Sequence, residues 1–352
     1  MRAIDLPRHR FLGEPTLLQR VRAVEALAGH APLYVKRDDM MPIALGGNKL
    51  RSLKYWIGAA EAMDADVVIV AGGPPSNQCR LTAAAAAMVG LDCIVLHNAD
   101  ETETARRASF LNRVLGADVR YLGEIDEARR AEAVEALATD LRCKGRRPYI
   151  VGDPALAARG YVHAIEELIA QSATAVAPIR HIVSAGSMGP TEAGIVFGNA
   201  LYGNPFQIHL ISVEYDRAEL ERLTRSIFDQ VGRRLGGNVP EWPSSHVHFH
   251  MQFLGAGYAQ PTPEAEAAIL TFARREGILL EHTYTAKTFA AFLFLARTGV
   301  FPDGEGVCAI HTGGVATLFV QQHLFASLQG SEAAMQIAAG RDRMGSDCAE
   351  EP

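Results

Sequence analysis

The chain has 352 residues, 48% of them hydrophobic and 21% charged, the balance of a folded globule long enough for two domains and a large core. A net charge of −6 argues against a protein held on nucleic acid by bulk charge. Five cysteines lack CxxC or zinc-ligand spacing, the start MRAIDLPRHRF lacks an apolar signal core, and no long apolar run suits a membrane span; a reduced, cytoplasmic chain is expected.

Short apolar runs then alternate with helical patterns. Asp66 to Ala71 (DVVIVA) reads as a buried strand that meets the loop GGPPSNQ and an alanine-rich helix from Cys79 to Met88. Leu91 to His97 is a strand, Ala105 to Leu115 a helix closed by Gly116, Asp118 to Leu122 a strand, Glu127 to Leu141 a helix and Pro148 to Val151 a strand. The pattern repeats with strand His181 to Ser184, the loop AGSMGP and a helix from Thr191, then strand Ile208 to Glu214 and helix Arg217 to Val231. Glu264 to Glu276 and Lys287 to Arg297 read as helices, and Gly306 to His311 as a strand ending in TGG before a helix from Val315. Such alternation predicts parallel sheets covered by helices on both faces. The closing RDRMGSDCAEEP reads as a polar, frayed tail.

Three glycine-containing turns carry the candidate chemistry. In Leu45-Gly46-Gly47-Asn48-Lys49-Leu50-Arg51 two glycines let the backbone fold tightly and bring the Lys49 amine close to a flat ligand; a surface lysine beside a turn is the plainer alternative. Gly72 to Gln78 joins a strand's C-terminal end to a helix start, where free N–H groups suit a carboxylate or phosphate; Ser76 or Asn77 as a simple helix cap explains it as well. Ser184 to Thr191 is again a strand-to-helix loop able to cradle a phosphate monoester. It is neither a Walker A loop nor GxGxxG, and an ordinary turn is its alternative.

Together and in this order, VKRDDMMPIALGGNKLRSLKY, GGPPSNQCRLTAAAAA, GYAQPTPEA, EGILLEHTYTAKTFAA and IHTGGVATLF resemble the fold-type II pyridoxal-phosphate enzymes. More narrowly they resemble the group holding D-cysteine desulfhydrase and 1-aminocyclopropane-1-carboxylate deaminase. The resemblance implies a tryptophan-synthase-β-like α/β fold: two open parallel-type sheets covered by helices, with pyridoxal 5′-phosphate in the cleft between domains. Residues 1–48 and 160–340 would form the large, cofactor-binding domain, 49–159 the small one and 341–352 the tail. A homodimer and a small amino-acid substrate are implied too.

Residue by residue, the resemblance implies that Lys49 is the Schiff-base lysine and that Asn77 bonds the cofactor's phenolic oxygen. Ser76 and the neighbouring Asn77 and Gln78 would hold the substrate carboxylate. Gly186, Ser187, Met188, Gly189 and Thr191 would hold the phosphate. Tyr258 and Tyr284 would be the active-site tyrosines, and Thr312 would face the pyridine nitrogen. Pro75, Met188 and Pro190 depart from the family pattern, and Pro190 removes an N–H donor from the phosphate loop. Thr285 and Thr312, expected at the ring, match the desulfhydrases; Gln78 is closer to the deaminases.

The implied activity is α-proton abstraction, with the freed Lys49 as base, and β-elimination to a 2-oxo acid and ammonia, releasing sulfide from D-cysteine. Ring-opening of the cyclopropane amino acid, elimination from a substrate such as cysteate, and a catalytically silent cofactor-binding homologue are the alternatives. Other features are expected to be structural. HVHFH (His246, His248, His250) reads as a solvated strand face with no bound metal, His311 as a supporting residue, and Asp38 and Asp39 as ion-pair partners of nearby basic residues. Arg51 and Arg80 either pair with acids or steer an anionic substrate.

Overall fold

A computed structural model describes residues 7–11, 13–235 and 239–325; the tail expected at 341–352 lies outside them. Among the described residues a six-stranded sheet runs in the order β1 (Leu18–Arg20), β2 (Leu33–Arg37), β10 (Gly306–His311), β7 (Ile179–Gly186), β8 (Gln207–Ser212) and β9 (Val247–His250). Only the β1–β2 pair is antiparallel. A four-stranded, all-parallel sheet runs β5 (Asp118–Tyr121), β4 (Asp92–His97), β3 (Val67–Ala71) and β6 (Pro148–Ile150). The helices are α1 (Arg22–Ala28), α2 (Lys49–Ala62), α3 (Asn77–Val89), α4 (Glu103–Ala108), α5 (Phe110–Val114), α6 (Glu127–Cys143), α7 (Pro154–Ser172), α8 (Pro190–Leu201), α9 (Arg217–Leu235), α10 (Pro263–Glu276), α11 (Thr285–Arg297) and α12 (Val315–Leu318).

Period-2 alternation sends neighbouring strand residues to opposite faces. Val183, Ile211 and Val307 pack against Phe272, Phe289 and Phe292 of α10 and α11, while Ile182, Leu210 and Cys308 pack against Tyr161, Phe197 and Phe228 of α7, α8 and α9. In the smaller sheet Val68, Val70 and Val95 meet α2 and α3 through Leu53, Trp56 and Leu81. Val67, Ile69 and Ile94 meet Val134 and Ala138 of α6. Helix α7 joins the two halves. Asp153 caps it through the Ala155 and Leu156 N–H groups with Pro154 at its first position, and it packs on both α2 and α8. A Cβ at Gly160 would come within 2.5 Å of the Arg51 backbone, and one at Gly194 would strike the Ala158 carbonyl, so these contacts require the missing side chains.

The sequence pattern and the fold differ in a few places. The single helix expected from Ala105 to Leu115 is two, α4 and α5, broken at Ser109. The Ser109 hydroxyl bonds the Ala105 carbonyl at 2.9 Å and the Tyr121 hydroxyl at 2.7 Å, a side-chain alternative to the helical ladder. Strand β2 and helices α1, α2 and α7 were not legible as elements. His246 lies in a 3₁₀ turn rather than on β9. His248 is exposed and its ring stacks at 4.9 Å on the buried His209, on which the His250 ring also stacks at 5.3 Å. Hydrogen bonds then run His250 Nε2 to His209 Nδ1 (3.0 Å), His209 Nε2 to His181 Nδ1 (3.1 Å) and His181 Nε2 to Glu305 (2.8 Å). Burial and the neighbouring rings press the pKa of His209 down to about 2, and burial with His248 presses His250 down to about 4. His181 and His209 lie near the starts of β7 and β8, and His250 is the last residue of β9.

Candidate active site

In parallel sheets the C-terminal strand ends share one edge, where ligand sites form. The turn that carries Lys49 follows β2. Its backbone is pinned by Gly47 N–H to the Asp38 carbonyl (3.0 Å) and Asn48 N–H to the Thr312 carbonyl (2.9 Å). The Asn48 side-chain amide donates to the Thr191 hydroxyl at 3.2 Å. Asn48 thus ties together the turns after β2, β7 and β10. A Cβ at Gly313 would lie 2.7 Å from the Gly47 Cα, so the first and last of these turns are in backbone contact.

Lys49 opens α2. Its amine forms no salt bridge within the described residues. Burial lowers its pKa, opposed by the more distant Glu192 carboxylate, and a helix N-terminus acts in the same direction as burial. The neighbouring charges are settled differently. Arg51 is fully buried and holds Asp38 through two nitrogens at 2.8 Å each and Glu167 through two at 3.0 Å. Asp38 also accepts from Thr16 and Tyr161, and Asp39 pairs with Arg37. The expected ion-pair role of both aspartates is met.

The second turn follows β3. The Ser76 hydroxyl accepts the Cys79 N–H at 3.4 Å, so Ser76 does cap α3, through a long bond. Arg80 is buried and donates to the Asn77 Oδ1 at 2.6 Å, to the Gly46 carbonyl at 3.3 Å and to the Ala44 carbonyl. It therefore fixes the second turn to the Lys49 turn and leaves the Asn77 amide N–H₂ as donor. It has no carboxylate partner within the described residues, and burial pushes it down to about 10. Gln78 is half-buried in the first turn of α3.

The third turn leads from β7 into α8, with Pro190 at the first helical position. Gly186, Ser187 and Gly189 are buried, Thr191 is half-buried and Met188 is exposed, its sulfur 3.5 Å from the Tyr215 hydroxyl. The Ser187 N–H donates to the carboxylate of Glu192, and the Ser187 hydroxyl to that of Glu214. Burial raises the Glu192 pKa, against the pull of the Ser187, Gly189 and Glu192 N–H groups and of Lys49. A loop whose amides already gather around a carboxylate has the donor set a phosphate needs.

The Tyr258 and Tyr284 hydroxyls are 2.6 Å apart. Two buried charges hold them. The Glu281 carboxylate accepts the N–H groups of Thr283, Tyr284 and Thr285 at 2.7, 2.8 and 2.8 Å, capping α11. The Lys287 amine donates to the Leu254 and Gly257 carbonyls at 2.7 and 2.8 Å and so fixes the loop that carries Tyr258. Burial, then the proximity of Tyr258, raises Tyr284 well above the ordinary phenol range. Thr285 is buried, and its hydroxyl accepts the Glu281 N–H at 2.8 Å, which ties it into the start of α11. Thr312 is half-buried beside Gly47. His311 is buried, bonded to the Leu279 carbonyl at 2.9 Å and to the Gly313 N–H at 3.1 Å, a supporting position as expected.

A family model described as pyridoxal-phosphate dependent enzyme matches residues 10–313. The chain is a pyridoxal-phosphate dependent enzyme. This pyridoxal-phosphate enzyme is 33% identical over 320 residues to the D-cysteine desulfhydrase of Salmonella choleraesuis (strain SC-B67), covering 89% of this chain and 95% of that protein. To the D-cysteine desulfhydrase of Yersinia pestis (strain Pestoides F) it is 34% identical over 323 residues, covering 90% and 96%. A crystal structure of an ACC deaminase homologue superposes with a TM-score of 0.82 at 29% identity, over 92% of this chain and 97% of the other. O-ureido-L-serine synthase shares the fold, with a TM-score of 0.61 at 16% identity over 82% and 87%. The expected fold-type II architecture and cofactor are thereby established.

Sequence reasoning passed over Glu192, Glu214, Glu281 and Lys287. Lys287 stands inside the YTAK stretch and Glu192 directly after Thr191. An acid or base inside a loop-to-helix junction was the available signal, and only packing reveals what each one holds.

Proposed function

We propose that this enzyme removes a β-substituent and the amino group from a small amino acid, with D-cysteine as the first substrate to test. The observation that carries the reading is a half-buried Lys49, its amine free of salt bridges within the described residues, in a turn tied to those bearing Asn77, Thr191 and Thr312. The desulfhydrase names of relatives matched over nearly their full length support the substrate class. When bound, pyridoxal phosphate supplies the electron sink for a carbanion at Cα.

The chain's own groups do the rest. The Lys49 amine, its pKa lowered by burial, takes the proton from Cα. The Ser76 hydroxyl, Asn77 and Gln78 at the start of α3 receive the carboxylate, and the Asn77 amide N–H₂ bonds the cofactor's ring oxygen. Gly186, Ser187, Met188, Gly189 and Thr191 seat the phosphate. Tyr258 and Tyr284, each able to give or accept the proton between them, supply a proton to the departing sulfur. Thr312, a neutral hydroxyl, would face the ring nitrogen and, unlike a carboxylate, would not hold a proton there, which would favour prompt elimination. D-cysteine and water give a 2-oxo acid, hydrogen sulfide and ammonia.

The structural likeness to an ACC deaminase homologue and the presence of Gln78 support ring-opening deamination as a second reading. We further place the enzyme in the cytoplasm as a homodimer, with residues 1–48 and 160–340 as its large domain and 49–159 as its small one. Unpaired buried Cys79, Cys93 and Cys308 support the compartment, and light scattering tests the dimer.

The decisive experiment adds pyridoxal phosphate to purified protein, traps the lysine with borohydride, and screens D- and L-β-substituted amino acids beside the cyclopropane substrate. Label on Lys49 with sulfide and 2-oxo acid from D-cysteine is expected. Label on another lysine, or cofactor uptake without turnover of any of these, overturns the reading.

A further inference from the structure

The seat assigned to the phosphate already holds an anion. The Glu192 carboxylate, buried at the start of α8, accepts the Ser187 N–H and draws on the N–H groups of Gly189 and of Glu192 itself. These amides are the ones a phosphate would need. The loop has little to spare, because Pro190 offers no N–H. The surroundings answer the extra charge only in part. Glu214 bonds the same Ser187 through its hydroxyl, Leu220 and Ile227 of α9 lie against Gly186 and Gly189, and the Lys49 amine attracts the Glu192 carboxylate without forming a salt bridge to it within the described residues. A phosphate monoester carries about −1.5 to −2 charges near neutral pH. Two anions drawn to one donor set repel each other.

We propose that Glu192 is a tethered competitor for the cofactor's phosphate: its carboxylate occupies the loop amides until the phosphate displaces it. The inference rests on the reading above that this loop seats the phosphate. It assigns Glu192 a role in setting cofactor affinity that is independent of the chemistry at Lys49. The phosphate then contributes less to binding than its donors would otherwise allow, and the pyridoxal ring is unaffected.

The test compares pyridoxal phosphate with pyridoxal on apo-enzyme, by absorbance titration, for the natural chain and for Glu192→Gln. The amide keeps an acceptor for the Ser187 N–H and removes only the charge. The affinity ratio of phosphorylated to unphosphorylated ligand is expected to rise at least about tenfold in E192Q, the scale of one like charge removed from a partly screened site, with pyridoxal affinity unchanged. Inorganic phosphate is expected to raise the melting temperature of the apo-variant more than that of the natural chain. Should E192Q fail to fold, Glu192→Asp draws the charge back from Ser187 and raises the ratio in the same sense. An unchanged or smaller ratio in a folded variant, with pyridoxal phosphate still preferred by both proteins, overturns the competitor role alone. Equal affinity for both ligands in both proteins overturns the competitor and the phosphate seat together.

Discussion

Lys49 and Arg51 stand one residue apart on the first turn of α2, and the fold treats their charges in opposite ways. Arg51 is surrounded by Asp38, Glu167 and Thr16, and these carboxylates raise its pKa well above the ordinary value. Lys49 forms no salt bridge within the described residues, and burial lowers its pKa. A cation that is fully matched holds structure; one left without a counter-ion is kept reactive. The same contrast separates Lys287, which spends its amine on two carbonyls, from Lys49.

Substitution separates the two roles. Lys49→Ala is expected to cost roughly 10²–10⁴-fold in turnover and abolish borohydride trapping, while the melting temperature holds or rises; a large loss of stability would break the contrast. Arg51→Met should do the reverse at the level of folding. It strands Asp38 and Glu167 in the interior and is expected to cost about 3–5 kcal/mol, read by chemical denaturation. Lys287→Met removes two charge-assisted bonds of about 1.5–3 kcal/mol each at most. Its mark is a raised KM together with lost stability, since the loop carrying Tyr258 loosens.

The smallest effect concerns the histidine array across β7, β8 and β9 of the large sheet. An unfolded histidine takes a proton near pH 6.5, but His250 does so in the fold only at about 4. Between those values the unfolded chain binds more protons, so stability falls as pH falls, by about 1.4 kcal/mol per pH unit for such a ring. His250→Gln should flatten that acid limb by one ring's share, with stability near pH 8 little changed.

The alternation of apolar runs and helices made the parallel sheets readable, because strands buried on both faces are continuous apolar stretches. The edge strand β1 and helix α2 escaped notice for local reasons. Three residues carry no period, and α2 has so many buried positions, Arg51 and Lys54 among them, that no polar face marks it. At the site, the glycine turns announced where a ligand would approach, since tight backbone is written in residue type. Glu192, Glu281 and Arg80 were opaque for the opposite reason. Arg80 meets carbonyls more than thirty residues away, while Glu192 and Glu281 meet amides of their own turns, and nothing in a side chain says which amide it will meet. Thr285 carries a bond that residue type did not announce, its hydroxyl accepting the Glu281 N–H at the start of α11.

The contact between Gly47 and Gly313 acts as a mechanical stop. Because one backbone rests on the other, the spacing between the Lys49 turn and the Thr312 turn is fixed by atomic radii and not by any adjustable side chain. Variation that retunes such a site is therefore driven outward, to rim positions such as Gln78, Met188 and Tyr215. An engineer seeking a new substrate should begin there and leave the hub untouched.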